Sequence, residues 1–191
     1  MANAPSSSSR PHGPQKGDWE SCLVSHAQLT KLQVQGYLPP LDLVPVRAGL
    51  TSINSEALVE NFPNPTKGER VCFVSFLLRG MGFPIHPFLR GLLEYYGLQL
   101  HKLTLGSILH IAGFVALCEL FLGCEAHFEL WMKFFCLVPR SQKGSIFEVG
   151  GAEVWCVAGK GYCPALRRRH LKSGHQNGFI LKTLFLQTQS D

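Results

Sequence analysis

The stretch whose reading decides the fold is residues 71–140, VCFVSFLLRGMGFPIHPFLRGLLEYYGLQLHKLTLGSILHIAGFVALCELFLGCEAHFELWMKFFCLVPR. It is almost continuously apolar, poor in charge and cut at intervals by glycine and proline, a pattern that predicts several short helices burying one another. Residues 70–79 fit either a buried strand or a buried helix. Helix is preferred because Phe73, Phe76 and Leu77 recur at helical spacing and Gly80 and Gly82 then end the run. Met81 to Pro84 form a turn, and Pro87 suits the first turn of a helix over 86–96 that puts Phe88, Leu89, Leu92, Leu93 and Tyr96 on one face. Gly97 stops it. A central helix over 104–122 carries Ile108, Ile111, Ala112, Val115 and Leu122 on one stripe and apolar residues on its other side as well. It is therefore expected to be surrounded by neighbours. Gly123 ends it, and 127–135 repeats the pattern with Phe128, Trp131, Met132 and Phe135.

Upstream of this core, residues 1–20 are rich in Ser, Pro and Gly and offer no apolar face, so a flexible leader is expected. A helix over 25–35 follows, capped by Ser25, contributing Leu29, Leu32 and Val34 to the core and stopped at Gly36. Three prolines make 37–50 extended or irregular. A second short helix is expected over 55–60, and the core begins after a turn at 65–68. Downstream, the period changes to that of strands: Ile146 to Val149 and Ala152 to Val157 flank Gly150–Gly151 and read as a hairpin over 145–157.

The expected architecture is thus mostly α: a single-core helical bundle with a small C-terminal β-hairpin and disordered ends. Its parts are a disordered leader (1–20), a helix with a proline-rich connecting segment (21–66), a helical core with its terminal hairpin (67–157) and a basic, disordered tail (158–191).

The formal charge of +5 is unevenly spread. Residues 161–191 hold five Lys or Arg against one acidic residue, whereas residues 1–66 hold four against five. Any affinity for polyanions therefore belongs to the tail, and the candidate nucleic-acid contacts are Arg167, Arg168, Arg169 and Lys172. Seven cysteines without a repeated spacing, behind an N-terminus with no apolar secretory segment, point to a reducing intracellular setting. Residues 103–123 have the length of a membrane span. They also contain His110 and Glu119, and a mid-membrane carboxylate costs on the order of 3 kcal/mol, so a buried core helix is the better reading and no membrane is expected.

The chemistry-bearing residues point away from catalysis. Transposase and integrase reactions need several carboxylates to hold two metal ions, yet the only aspartates are Asp18, Asp42 and Asp191. Cys118, Cys124 and His127, with Cys136 or His110, are the candidates for zinc. Cys118 and Cys124 differ by about 240° around an ideal helix, and no Cys-x-x-Cys clip is present, so packed thiols are expected instead. Glu119 and Glu125 with Lys133 or Arg90 read as a solvated or paired edge, and Trp131 with Phe134 and Phe135 as core. No catalytic residue, metal or cofactor is expected.

The string from Phe73 to Val138, followed by the Gly-Gly pair, resembles the gypsy-type transposon domain found near the amino end of Gag-like polyproteins of grass retrotransposons. The resemblance runs from about Thr66 to Tyr162. It implies an element-derived, plant protein with no catalytic residues to carry over. Relatives continue past Gly161–Tyr162 into an acidic segment like Ser-Glu-Trp-Phe-Tyr-Ile-Glu-Asp, where this chain departs. Written in codons and read one nucleotide later, that peptide becomes Gln-Asn-Gly-Phe-Ile-Leu-Lys-Thr, which is residues 176–183. The tail is accordingly expected to be a truncated, frame-shifted reading of the family sequence. A non-enzymatic Gag-like structural or interaction domain follows, with further copies of itself or other proteins of the element as partners. The alternative is a nucleic-acid-binding fragment acting through the tail.

Overall fold

The computed structural model describes residues 24–40, 46–47, 50–53, 56–59, 69–142, 145–146, 149–157 and 178–182. Nearly half of them are helical, in five α-helices with one 3-10 and one π-helical turn, and the remainder includes small antiparallel sheets. The disordered leader expected over 1–20 lies outside the described residues.

Helix α1, His26–Val34, begins as its sequence predicts: the Ser25 hydroxyl accepts from the Gln28 N–H (3.3 Å) and the Gln28 side chain accepts from the Ser25 N–H (3.2 Å). This reciprocal box satisfies two of the donors that a helix start leaves open. Leu29 and Leu32 are buried, but Val34 is 82% exposed and is not part of the core. The expected helix over 55–60 is instead a strand: β2, Leu50–Ile53, pairs with β3, Glu56–Val59, from Leu50 opposite Val59 to Ile53 opposite Glu56. Two residues separate the paired strands, a connection length that closes a hairpin directly.

The ambiguous run resolves as both alternatives in succession. Strand β4, Glu69–Phe73, runs straight into α2, Val74–Leu77. The helical spacing of Phe73, Phe76 and Leu77 was a true signal of shared burial, and Phe73 meets Phe76 edge to face at 5.1 Å between centroids. It was not a signal of continuous helix, because β4 hydrogen-bonds to β9, Gly178–Lys182, more than a hundred residues downstream. The other edge of β9 pairs with β1, Val46–Arg47, so the sheet order is β1-β9-β4. Within the tail expected to be disordered over 158–191, residues 178–182 form the central strand of a three-stranded sheet, and its other residues lie outside the described residues. A bundle reading omits this sheet altogether.

Gly80 ends α2 at φ +91°, with Met81 N–H donating to the Phe76 carbonyl (3.1 Å). A Cβ there would also stand 3.1 Å from that of Ala112, so α2 meets the central helix through a position only glycine fills. After a turn with a cis Phe83–Pro84 peptide, α3, Pro87–Tyr95, starts at His86 and buries Phe88, Leu89 and Leu92. Leu100–Lys102 forms the 3-10 turn.

The central helix α4, Leu105–Ala116, is docked at its start by a closed set of hydrogen bonds to β8, Ala152–Cys156. Thr104 N–H and Ser107 O–H both donate to the Ala152 carbonyl (3.1 Å each), and Val154 N–H donates to Ser107 Oγ (2.9 Å). Thr104 Oγ1 accepts from Ser107 N–H (3.0 Å), so its own proton goes to Ser107 Oγ at 2.8 Å. Every polar atom of Ser107, which is fully buried, is used.

Helix α5, Phe128–Phe134, gives way at Phe135 to β5, Phe135–Pro139, whose partner is β8, from Phe135 opposite Cys156 to Pro139 opposite Ala152. Two corrections follow. Phe135 is a strand residue and Met132 is 44% exposed, so α5 faces inward through buried Trp131 and half-buried Phe128, Leu130 and Phe134. The hairpin expected to turn at Gly150–Gly151 turns earlier, where β6, Ser141–Gln142, pairs with β7, Ser145–Ile146. Gly150, at φ +65°, instead donates its N–H to the His101 carbonyl (2.9 Å) and steers the chain into β8. The apolar run Phe135 to Val138 offers β8 an aromatic and aliphatic partner that a helix boundary had concealed.

Among the described residues, the buried apolar side chains form one cluster from Val24 to Val154 that includes Trp131, Phe114 and Phe135, with Trp131 stacked on Phe135 at 4.3 Å. Among the described residues, no helix is long and apolar enough to cross a membrane.

Candidate functional site

Among the described residues, an unusual apolar surface lies where α4 ends. The expected helix over 104–122 is α-helical only to Ala116 and continues as a π-helical turn, Leu117–Phe121. Widening the turn by one residue breaks the 3.6-residue stripe, so the C-terminal end does not stay surrounded by neighbours. Leu120, Phe121 and Leu122 are 78%, 79% and 61% exposed. Three consecutive large apolar side chains in water form a knuckle, and Leu122 is not the core residue its spacing suggested.

Two clamps hold this knuckle. On one side Glu119 meets His86 Nε2 at 3.0 Å. The other ring nitrogen, Nδ1, accepts from the Phe88 N–H (3.2 Å) and caps α3, so the ring proton sits on Nε2 and points at the carboxylate. Glu119 is therefore a paired edge group, as its composition suggests, but its partner is a histidine rather than Lys133 or Arg90. On the other side Gly123, at φ +65°, reverses the chain. Leu122 N–H donates to the Leu117 carbonyl (3.0 Å) and Cys124 N–H to the Cys118 carbonyl (2.9 Å). A glycine-terminated helix ordinarily sends that second bond to the residue after Cys118. The wide turn shifts it back by one, which brings Cys118 and Cys124 together.

The separation of these two cysteines around an ideal helix is thereby overturned. Burial first, then the neighbouring Cys124 and Glu119, push the Cys118 thiol upward. Cys118 is fully buried and Cys124 half-buried. The remaining zinc candidates stand apart from them: His127 and Cys136 are exposed, and His110 Nδ1 donates to the Gly106 carbonyl at 2.7 Å. Among the described residues, no group of three or more His, Cys, Asp or Glu is placed to hold a metal ion. Trp131 and Phe135 are core, as expected. Arg167, Arg168, Arg169 and Lys172, like Asp18, Asp42 and Asp191, lie outside the described residues.

A second apolar surface gathers on α3 and α5. Tyr95, 65% exposed, lies against Phe128 (4.4 Å) and Tyr96 (5.1 Å). Sequence reasoning missed the knuckle because periodicity cannot register a one-residue change of pitch. The available signal was Leu120-Phe121-Leu122 immediately before Gly123, where a cap leaves the last side chains little core to enter.

Residues 71–139 match a protein family described as putative gypsy type transposon. The match begins within β4 and ends with the last residue of β5, covering roughly a third of the chain and including α2 to α5 and the knuckle. It is narrower than the span over which the sequence resembles that domain. No curated protein and no solved structure matches.

Proposed function

We propose that this protein is a non-enzymatic, Gag-like structural or interaction module of a gypsy-type retrotransposon, associating with further copies of itself or with other proteins of the element through the apolar knuckle. The observation that carries the reading is the exposure of Leu120, Phe121 and Leu122 at the end of an otherwise buried helix, inside the family-matched region. Contiguous exposed apolar residues of this size favour burial against a partner. Light scattering coupled to size exclusion, run on the full chain across a range of concentrations, tests this. The expected result is oligomers that dissociate on dilution and are lost in a Leu120→Ser/Phe121→Ser variant with unchanged helicity. A monomer at every concentration overturns self-association, and cleavage or joining of added DNA overturns the non-enzymatic reading.

The second reading is polyanion binding by the tail, favoured by the Arg167-Arg168-Arg169 cluster. It predicts RNA binding that weakens steeply with salt and disappears when those three arginines become alanine.

A further inference from the structure

We propose that Cys118 and Cys124 are a reversible redox pair, forming an intrachain disulfide across the base of the knuckle when the protein meets a small-molecule disulfide such as oxidised glutathione. This inference is independent of the function proposed above.

Geometry carries it. A disulfide needs Cα atoms roughly 4.4–6.8 Å apart. The Cys124 N–H donates to the Cys118 carbonyl at 2.9 Å, and with standard bond lengths that contact keeps the two Cα atoms within about 6.8 Å. The side chains lie near one another as well, since Cys124 is the first neighbour, after burial, that raises the Cys118 thiol. No other pair among the described cysteines is so arranged. Cys72 is buried in β4. Cys136 and Cys156 lie on paired strands, but Cys136 is opposite Trp155 and Cys156 opposite Phe135, so they project from opposite faces of the ribbon.

The order of reaction follows from access. Cys124 is partly open to solvent, whereas Cys118 is fully buried and burial pushes its thiol upward. Cys124, as thiolate, attacks one sulfur of glutathione disulfide and releases one glutathione. Cys118 then loses its proton to water and attacks the Cys124 sulfur of the mixed disulfide, releasing the second glutathione. Two protein thiols are oxidised to one disulfide and one glutathione disulfide is reduced to two thiols. The closed ring contains Glu119 to Gly123, so bond formation fixes the turn that presents Leu120, Phe121 and Leu122.

Trypsin places both cysteines on one peptide, residues 103–133, because no Lys or Arg lies between Lys102 and Lys133. The full chain is equilibrated in glutathione redox buffers, alkylated, digested and weighed. The expected result is a 103–133 peptide two hydrogen atoms lighter and free of both alkyl labels, restored by reductant, while Cys136 and Cys156 form no intrachain bond. Cys118→Ser is expected to stop at a glutathione adduct on Cys124, and Cys124→Ser to leave Cys118 unmodified in the folded protein. Amide exchange at residues 120–123 is expected to slow in the oxidised form. A wild-type peptide that stays doubly alkylated, or that accumulates the Cys124 adduct without closing, overturns the proposal, as does a disulfide with unaltered exchange across the turn.

Discussion

Ser107 shows how much one small polar side chain can carry. Its hydroxyl donates to the Ala152 carbonyl and accepts from Val154 N–H and Thr104 Oγ1, tying the start of α4 to β8 with no atom left over. Ser107→Ala strands a buried N–H and a buried hydroxyl, and a cost of about 1–3 kcal/mol is expected by urea denaturation. Thr104→Ala should cost less, because the Ser107 hydroxyl retains Ala152 and Val154. At Cys72, fully buried in β4, burial pushes the thiol far above the ordinary cysteine range. The unfolded thiol ionises above a pH of about 8.5 while the native one does not, so the native state holds its proton more tightly. Stability is then intact below that pH and falls above it, by up to about 1.4 kcal/mol per pH unit for one such group. Denaturation between pH 8 and 10 should show this decline, and Cys72→Ala should flatten it; an equal slope in the variant contradicts the account. Tyr96, raised by burial and by its neighbour Tyr95, belongs to a higher window.

At the level of elements, the caps were legible and the pairings were not. Ser25, Pro87, Gly80 and Gly97 each mark an end where the structure has one, because capping is settled within a few residues of the chain. The split of 70–79 into β4 and α2, the strand at 56–59 and the partner of β8 were hidden, since each depends on a hydrogen-bonding partner that local pattern does not name. The thiol pair was hidden for the opposite reason: it is local, but it arises from a π-helical turn that periodicity assumes away. His86 joins two elements by a double role, and its substitutions separate them. His86→Asn keeps an acceptor for the Phe88 N–H and gives up only the half-exposed contact with Glu119, so a loss of about 0–1 kcal/mol is expected. His86→Ala removes the cap as well and should lose about 0.5–2 kcal/mol more. Thermal unfolding of the two variants side by side reads the difference. Equal losses mean that the ring does not cap α3.

For the whole molecule, the decisive element is β9, because it makes residues 178–182 of the tail part of the fold. A basic, disordered extension could be removed without consequence; a strand lying between β1 and β4 cannot. Taking it away exposes the backbone donors and acceptors of Glu69 to Phe73 along an edge whose side chains Val71, Cys72 and Phe73 are all buried, which is the kind of edge that recruits another chain. A chain ending at Val157 is therefore expected to unfold at lower urea than the full chain and to scatter light at concentrations where the full chain does not. It also makes truncation the wrong instrument for testing nucleic-acid binding, since lost binding and lost folding arrive together. Arg167, Arg168 and Arg169 are separated from β9 by eight residues, 170–177, so their substitution by alanine leaves the sequence of the strand unchanged and tests charge without truncation. The frame-shifted origin expected for the tail makes the truncation sharper still. If residues 178–182 are an accident of reading frame that nevertheless completes the sheet, the truncated chain loses cooperativity; if it retains the full chain's midpoint and helicity, β9 contributes nothing to stability and β4 holds its place through the burial of Val71, Cys72 and Phe73.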